Sequence, residues 1–406
     1  MTPLRPLLHR RYFKRYVAAR FISNFGNGMG TIALTFGILH LKGGSASEVG
    51  IVLGSSIVAF LVLSPFGGVI ADRYGRIRMA ALTDIVGGSV LLIQAYFFST
   101  GNVPLSLMLV VNIIFGITWA IFWPALTGIV PSIIPEEELQ TGNSVVQFSS
   151  NLAIISGTAV GGYIIATLGS TTALVIDALT FIINGLMVAT FRHLTPTPAT
   201  DENSVWEDLT HGWKVFLSFR WIVVIVGAFS FIVMCWAGAE NVLGPLIAQT
   251  KFQGAKSWAI VLTCESIGFL VGSLIAMKYH PKFPMRFLVF STFSVVFYIG
   301  SLIGPMSIVA ISFFAFLWGI SLDLWGAIWS TALQREVPKD ALSRVSAFDG
   351  MGSLLFRPLG LMLAAPLSEW IGIRNALGFF AILALVITMA TLFVPEVWKM
   401  QLSENS

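Results

Sequence analysis

Apolar residues in this chain run in long unbroken blocks instead of alternating with polar ones, and the blocks recur from one end to the other. Twelve of them, at 15–40, 47–71, 77–99, 104–130, 141–167, 171–191, 221–249, 257–278, 285–304, 307–333, 344–368 and 374–394, reach the roughly 20 residues that a helix needs to cross ~30 Å of hydrocarbon. Gly and Pro interrupt many blocks, which membrane helices tolerate where neighbouring groups re-satisfy the backbone. The pattern predicts an all-α polytopic membrane protein. One long polar stretch breaks it and divides the chain into a six-helix bundle over 1–191, a cytoplasmic linker over 192–220 and a second six-helix bundle over 221–406. Within the linker a stretch rich in Pro and Thr precedes Ser204 and Glu207, spaced as a capping box. Trp206, Leu209, Trp213 and Phe216 then follow at helical spacing, so the linker carries an amphipathic helix that joins the halves or lies in the interface plane.

Composition agrees. Of the 406 residues 56% are hydrophobic and 11% charged, where soluble domains carry about 25% charged. A net charge of +4 raises the question of nucleic acid, but the basic residues sit in short clusters between apolar blocks, which excludes it. With the N-terminus placed in the cytoplasm, Lys42, Lys251, Lys256 and Arg374 fall outside, Arg20 and Arg357 fall within spans, and the other 18 of the 24 Lys and Arg face the cytoplasm. By the positive-inside rule both termini are cytoplasmic in a multi-pass cell (inner) membrane protein. The basic N-terminus has no small-residue cleavage site and reads as a tail. Cys235 and Cys264 lie inside apolar blocks, so no disulfide or metal site is expected, and no cofactor. A Walker A sequence and a nucleophile, base or metal-ligand cluster are both absent from the chain, which argues against an ATP-driven pump and against an enzyme.

A shift of 203 residues superposes Gly116 on Gly319, Pro135 on Pro338, Leu139 on Leu342, Gly157 on Gly360 and Gly169 on Gly372. The two halves therefore read as copies of one design.

Between the second and third spans stands Gly68-Val69-Ile70-Ala71-Asp72-Arg73-Tyr74-Gly75-Arg76. Gly68 permits a close helix contact, Asp72 can accept bonds from Arg73, Arg76 or a helix N-terminus, and Gly75 permits a tight turn. This stretch resembles the cytoplasmic loop signature of the major facilitator superfamily. Residues 20–26, the loop from Pro135 to Asn143, Gly157 to Gly162 and 176–179 resemble one branch of it, the bacterial drug exporters that include enterobactin and macrolide exporters. The resemblance implies the major facilitator fold, two pseudo-symmetric bundles of six helices. It also implies export of a bulky amphiphile or drug by proton antiport with alternating access. It departs from drug antiporters at Asn112, where an Arg is usual, at Thr158, where a Pro is usual, and in the second half, where Ala276, Met277 and Lys278 replace a copy of the Asp-Arg loop.

An ionisable side chain at bilayer depth costs ~2.5–3.5 kcal/mol or more and so needs a partner or a job. Asp84 and Asp177 fall on spans that the resemblance makes peripheral, and are read as structural. The proton-coupling and gating set is Glu265, Asp323, Glu240, Arg357, Asp349 and Arg20, with Glu265 or Asp323 as the cycling carboxylate. Arg357 is read as the counter-ion of Glu265, and Arg20 as a residue that either snorkels to the interface or takes part. Aromatic and amide side chains on the spans that the resemblance places around the cavity, namely Asn24, Asn112, Phe115, Trp119, Trp123 and Trp236, are the candidate substrate wall. Trp318, Trp325 and Trp329 form a stripe opposite Asp323 on span ten. The expected partners are a small-molecule substrate that is hydrophobic or amphiphilic, cations included, together with protons and membrane lipids, the chain acting as a monomer. Against this stand a proton-coupled importer or a lipid or metabolite flippase of the same fold. A non-transporting receptor or sensor is disfavoured by the short loops.

Overall fold

The computed structural model describes residues 10–101, 103–126, 129–135, 138–191, 213–276, 281, 283–304, 306–337 and 339–399. The chain forms two compact units, 1–201 and 202–406. Unit 1 holds α1 (Arg11–His40), α2 (Ala46–Tyr74), α3 (Arg76–Thr100), α4 (Leu105–Leu126), α5 (Leu139–Leu168) and α6 (Ser170–Ala189). Unit 2 begins with α7, which runs from Arg220–Gly238 through a π-helical turn, Ala239–Leu243, into Gly244–Lys251. It continues with α8 (Ala255–Ala276), α9 (Pro284–Ser291 and Phe293–Ile303) and α10 (Ile308–Glu336). It ends with α11 (Lys339–Leu354 and Arg357–Ile371) and α12 (Ile373–Leu392). Among the described residues 11 helices are long and apolar enough to cross a membrane. The first helix, at 30 residues, is long enough but interrupts its apolar run with Arg20, Ser23, Asn24 and Asn27. The protein is thus a multi-span, all-helical membrane protein.

Both units use one packing scheme. In unit 1 the partners are α1 with α5 and α6, α2 with α4, and α3 with α4 and α6. In unit 2 they are α7 with α11 and α12, α8 with α10, and α9 with α10 and α12. The glycines picked out by the repeat are where these rods touch. A Cβ at Gly157 would collide with the Phe25 carbonyl on α1, and one at Gly360 with the Met234 carbonyl on α7. Gly116 rests in the same way on the Ser56 carbonyl and Gly319 on that of Glu265. The contacted residues are offset by 209 in both cases, while the glycines are offset by 203. The second copy is therefore six residues shorter than the first between its second and fourth helices. Gly169 and Gly372 turn the corner before α6 and α12 at the same positive φ of 85°. Pro338 and the side chain of Leu342 lie outside the described residues.

The loop signature is met in part. Gly75 makes the single-residue turn between α2 and α3 at φ 93°, a conformation open to glycine at little cost. The close helix contact falls one residue earlier than expected. A Cβ on Gly67 would strike the Ala120 carbonyl of α4, whereas one on Gly68 would come no nearer than 4.0 Å to Pro124. Arg73 is exposed, Arg76 opens α3, and the side chain of Asp72 lies outside the described residues. At the other end of α2 a capping box closes between Ser45 and Glu48. In the linker, Trp206 and Leu209 also lie outside the described residues. Trp213 and Phe216 are described, and they join Phe348 of α11 in an aromatic cluster, with Phe216 buried in the core of unit 2.

Overpacking at a close backbone contact costs about 1–3 kcal/mol. Gly157→Ala and Gly360→Ala are each expected to destabilise by that amount in thermal melts of the purified protein. Gly378→Ala, with nothing within 4 Å of the added carbon, should stay within about 0.5 kcal/mol of wild type.

Candidate functional site

Unit 2 gathers its ionisable side chains around the irregular turn of α7. Pro245 offers no backbone N–H and crowds the preceding turn. The helix widens there, and the Gly244 N–H reaches back five residues to the Ala239 carbonyl. Such widened turns recur at functional sites. This one carries Glu240, eleven residues before the end of α7, deeper than the sequence spacing implied. The Trp236 indole N–H donates to Glu240 Oε2 at 2.7 Å. The carboxyl of Glu265, from α8, lies within hydrogen-bonding reach of that of Glu240. Glu265 is held in place by its own backbone, which is seated on Gly319 of α10.

Three more side chains complete the cluster. The hydroxyl of Tyr298, fully buried on α9, adjoins both carboxyls and makes no regular hydrogen bond. Trp318 of α10 meets Trp236 edge to face at 5.8 Å. Arg357 stands where α11 restarts after a break, and the freed Phe356 N–H there is taken up by Ser230 Oγ of α7 at 3.1 Å. Its charge acts on Glu240 without a direct ion pair. Among the described residues Arg357 forms no salt bridge with Glu265, its expected partner, and the carboxyl its charge bears on is that of Glu240. Glu265 Oε1 and Arg357 Nε are buried with no hydrogen-bond partner.

The other predicted members of the set stand apart. Asp323 accepts from Ser273 Oγ at 2.8 Å across the α8–α10 contact. Asp349 accepts from the Trp329 indole at 3.0 Å, and Trp329 belongs to a buried stack with Trp325 and Phe229. Trp325 and Trp329 of span ten are therefore core packing of unit 2, while Trp318 borders the carboxyl cluster. Arg20 is buried instead of snorkelling to an interface. It lies over the Phe122 ring at 5.4 Å from the centroid and is electrostatically coupled to Asp84, which also accepts from Asn184.

The expected substrate wall divides as well. Asn24 is buried and donates to Ser150 Oγ and to the Arg20 carbonyl, each at 2.9 Å. Asn112 is buried and bonds back to the Met108 carbonyl of its own helix. Phe115 packs on Phe181, whereas Trp119 and Trp123 stack on one another at 6.0 Å and remain 36% and 57% exposed. Trp236 belongs to the carboxyl cluster. Unit 1 also opens a groove of about 370 Å³ between α1 and α5, apolar along Val17, Ala18, Phe21 and Ile22, with Lys14 at one end. Sequence reasoning misses this groove. It also misses Tyr298, whose available signal is a lone tyrosine in the middle of an otherwise apolar span.

A family model described as the Major Facilitator Superfamily matches residues 17–360. The chain belongs to that superfamily, so it is a membrane transporter of a small-molecule substrate and not an enzyme. Its relatives include the multidrug efflux pump Tap of Mycolicibacterium fortuitum, 24% identical over 95% of this chain and 96% of that protein. Macrolide efflux protein A of Streptococcus pyogenes is 24% identical over 86% of this chain and 88% of that protein. The staphyloferrin A transporter of Staphylococcus aureus is 23% identical over 97% and 98%. Exporters of the branch read from the motifs are thus among its relatives. Among solved structures, a mutant of the nucleoside transporter NupG has a TM-score of 0.75 at 15% identity, covering 94% of this chain and 99% of that one. A bacterial homologue of the human lysosomal transporter Spinster has a TM-score of 0.69 at 12% identity and covers both chains fully. These identities show a shared fold.

If the carboxyl pair acts as one unit, Glu240→Gln and Glu265→Gln should be non-additive in thermal stability by about 0.5–3 kcal/mol. Effects that add within about 0.3 kcal/mol would separate the two. Asp349→Asn, which keeps an acceptor for the Trp329 indole, should leave transport at the wild-type level. Asp349→Ala should cost about 1–3 kcal/mol of stability by stranding that N–H.

Proposed function

We propose that the chain is a secondary active exporter of hydrophobic or amphiphilic small molecules, cations included, working by proton antiport and alternating access. In this reading it lies in the cell (inner) membrane with both termini cytoplasmic. The observation that carries the proposal is the buried Glu240–Glu265 pair beside Arg357. An ionised carboxylate only accepts hydrogen bonds, so a bond between two carboxyls requires a proton on one of them. With that proton the trio Glu240, Glu265 and Arg357 is neutral. Without it the trio carries one net negative charge in a low-dielectric interior, where an uncompensated charge costs several kcal/mol. A proton and a lipophilic cation are alternative ways to balance that charge, which is the logic of antiport. Names of relatives that specify multidrug and macrolide efflux support export over uptake. The exposed Trp119–Trp123 stack and the apolar groove along α1 suit flat or lipophilic ligands through area burial and cation–π contact.

Expression in a bacterial strain stripped of its own efflux pumps should lower ethidium accumulation, and an uncoupler should abolish the effect. Glu265→Gln should reduce uncoupler-sensitive efflux by about a hundredfold, the lower end of the loss expected for a proton-transferring group. Gradient-dependent uptake would reverse the direction assigned here, and efflux indifferent to the uncoupler would remove the proton from the mechanism.

A further inference from the structure

The carboxyl pair of unit 2 leaves unused a second buried acid, Asp177, in the middle of α6. It is 4% exposed. Its carboxyl lies flat against two glycines one turn apart on α1. A Cβ at Gly26 would fall 2.6 Å from Oδ1, and one at Gly30 would collide with Oδ2. The Thr180 hydroxyl borders Gly26 too, but its own bond goes to the Asp177 backbone carbonyl at 2.7 Å, not to the carboxyl. Oδ1 has no hydrogen-bond partner.

Counter-ions are equally missing. Asp177 is the single charged residue of α6, and α1 carries none from Phe21 to Leu39. Neither α5 nor α4 contains a charged residue, and the one other ionisable group on α5, Tyr163, is exposed. On α3, Arg76 and Arg78 stand at its first turn, Tyr96 is exposed near the far end, and the remaining group is Asp84. Asp84 is bonded to Asn184, seven residues further along α6. The nearest cation on α1 is Arg20, six residues before Gly26, or about 9 Å along the axis, and it is coupled to Asp84. Among the described residues an ionised carboxylate in this setting would be a buried charge with no donor on Oδ1 and no counter-charge on the helices packed around it, whereas the neutral acid fits the glycine surface.

We propose that Asp177 is a second proton-binding site, in unit 1, which holds its proton while α6 is packed on Gly26 and Gly30 of α1 and gives it up when that contact opens during transport. The cycling step rests on the proton coupling proposed above; the protonation itself does not. Loss of the proton places a bare carboxylate on the α1 surface and drives the two helices apart, so the proton acts as a latch on the helix that also carries Arg20 and Asn24.

Infrared difference spectroscopy of the purified protein at neutral pH, wild type against Asp177→Asn, reads the protonation directly. A protonated-carboxyl stretch present in wild type and lost in the variant is expected, and no such difference overturns the site. Should Asp177→Asn fail to fold, dicyclohexylcarbodiimide, which attacks protonated buried carboxyls, is used on wild type with mass spectrometry. An adduct on Asp177 formed in acid and not in alkaline buffer supports the site, and no adduct there overturns it. In proteoliposomes loaded with ethidium, Asp177→Asn should cut efflux driven by a pH gradient by about a hundredfold with unchanged melting temperature. Wild-type efflux in that variant overturns the cycling step. If wild-type protein moves no ethidium, the substrate class proposed above fails, and the spectroscopic arm still decides the proton.

Discussion

A carboxyl group carried into the interior of a membrane-embedded bundle loses its water and has to be satisfied by whatever the neighbouring helices present. In this transporter that constraint is met in different ways, and the differences underlie the roles proposed for each acid. Asp349 is tied to an indole that is itself locked in an aromatic stack, and Asp323 is tied to a serine on the adjoining helix. Asp84 combines an amide donor with the charge of Arg20. Glu240 accepts from the Trp236 indole and lies within reach of Glu265, in a cluster that retains unpartnered polar atoms on Glu265, Tyr298 and Arg357. Fully satisfied buried groups rigidify a structure, whereas partly satisfied ones leave room for a change of protonation.

These arrangements exist because the helices approach closely enough to bring side chains from several rods together. Glycine makes this possible. With lipid outside and no strong hydrophobic force between rods, membrane helices associate through small residues that let backbones touch. Gly319 seats the backbone of Glu265, and Gly360 seats α7 two residues before Trp236. The residues that assemble the carboxyl cluster are therefore largely ones with no side chain, and their replacement would disturb the site without touching a charged group.

Much of the architecture was legible from residues alone. The apolar blocks gave the rods, the repeat of Gly157 on Gly360 and Gly169 on Gly372 gave the common packing, and the loop around Asp72 gave the family. The site was legible as a set of suspects but not as a constellation. Depth along a helix places Glu240, Glu265 and Arg357 at comparable heights, yet the pairing depends on azimuth. Azimuth is altered here by the π-helical turn in α7 and the break before Arg357. Neither irregularity announces itself beyond a proline. Asn112 shows the same limit, since it shares a helical stripe with Trp119 and Trp123 but is buried while they are exposed. Tyr298 escaped because the resemblance puts its helix at the periphery.

The correspondence between halves sharpens what is particular to each. By the offset of 209 that relates α1 and α2 to α7 and α8, Glu240 corresponds to Thr31 and Glu265 to Ser56. By the offset of 203 that relates the later helices, Arg357 corresponds to Ile154 and Asp177 to Phe380. The backbone contacts are duplicated and the charges are not. At Asp177 the contrast is physical. Phe380 occupies the equivalent place in unit 2 and lies against Gly238 of α7, 3.0 Å from where its Cβ would be, as an ordinary apolar contact. Unit 2 thus fills this helix contact with an apolar ring, whereas unit 1 places there an acid whose Oδ1 has no partner among the described residues. A buried acid that packing does not require is costly to keep, and that cost separates a working group from a structural one.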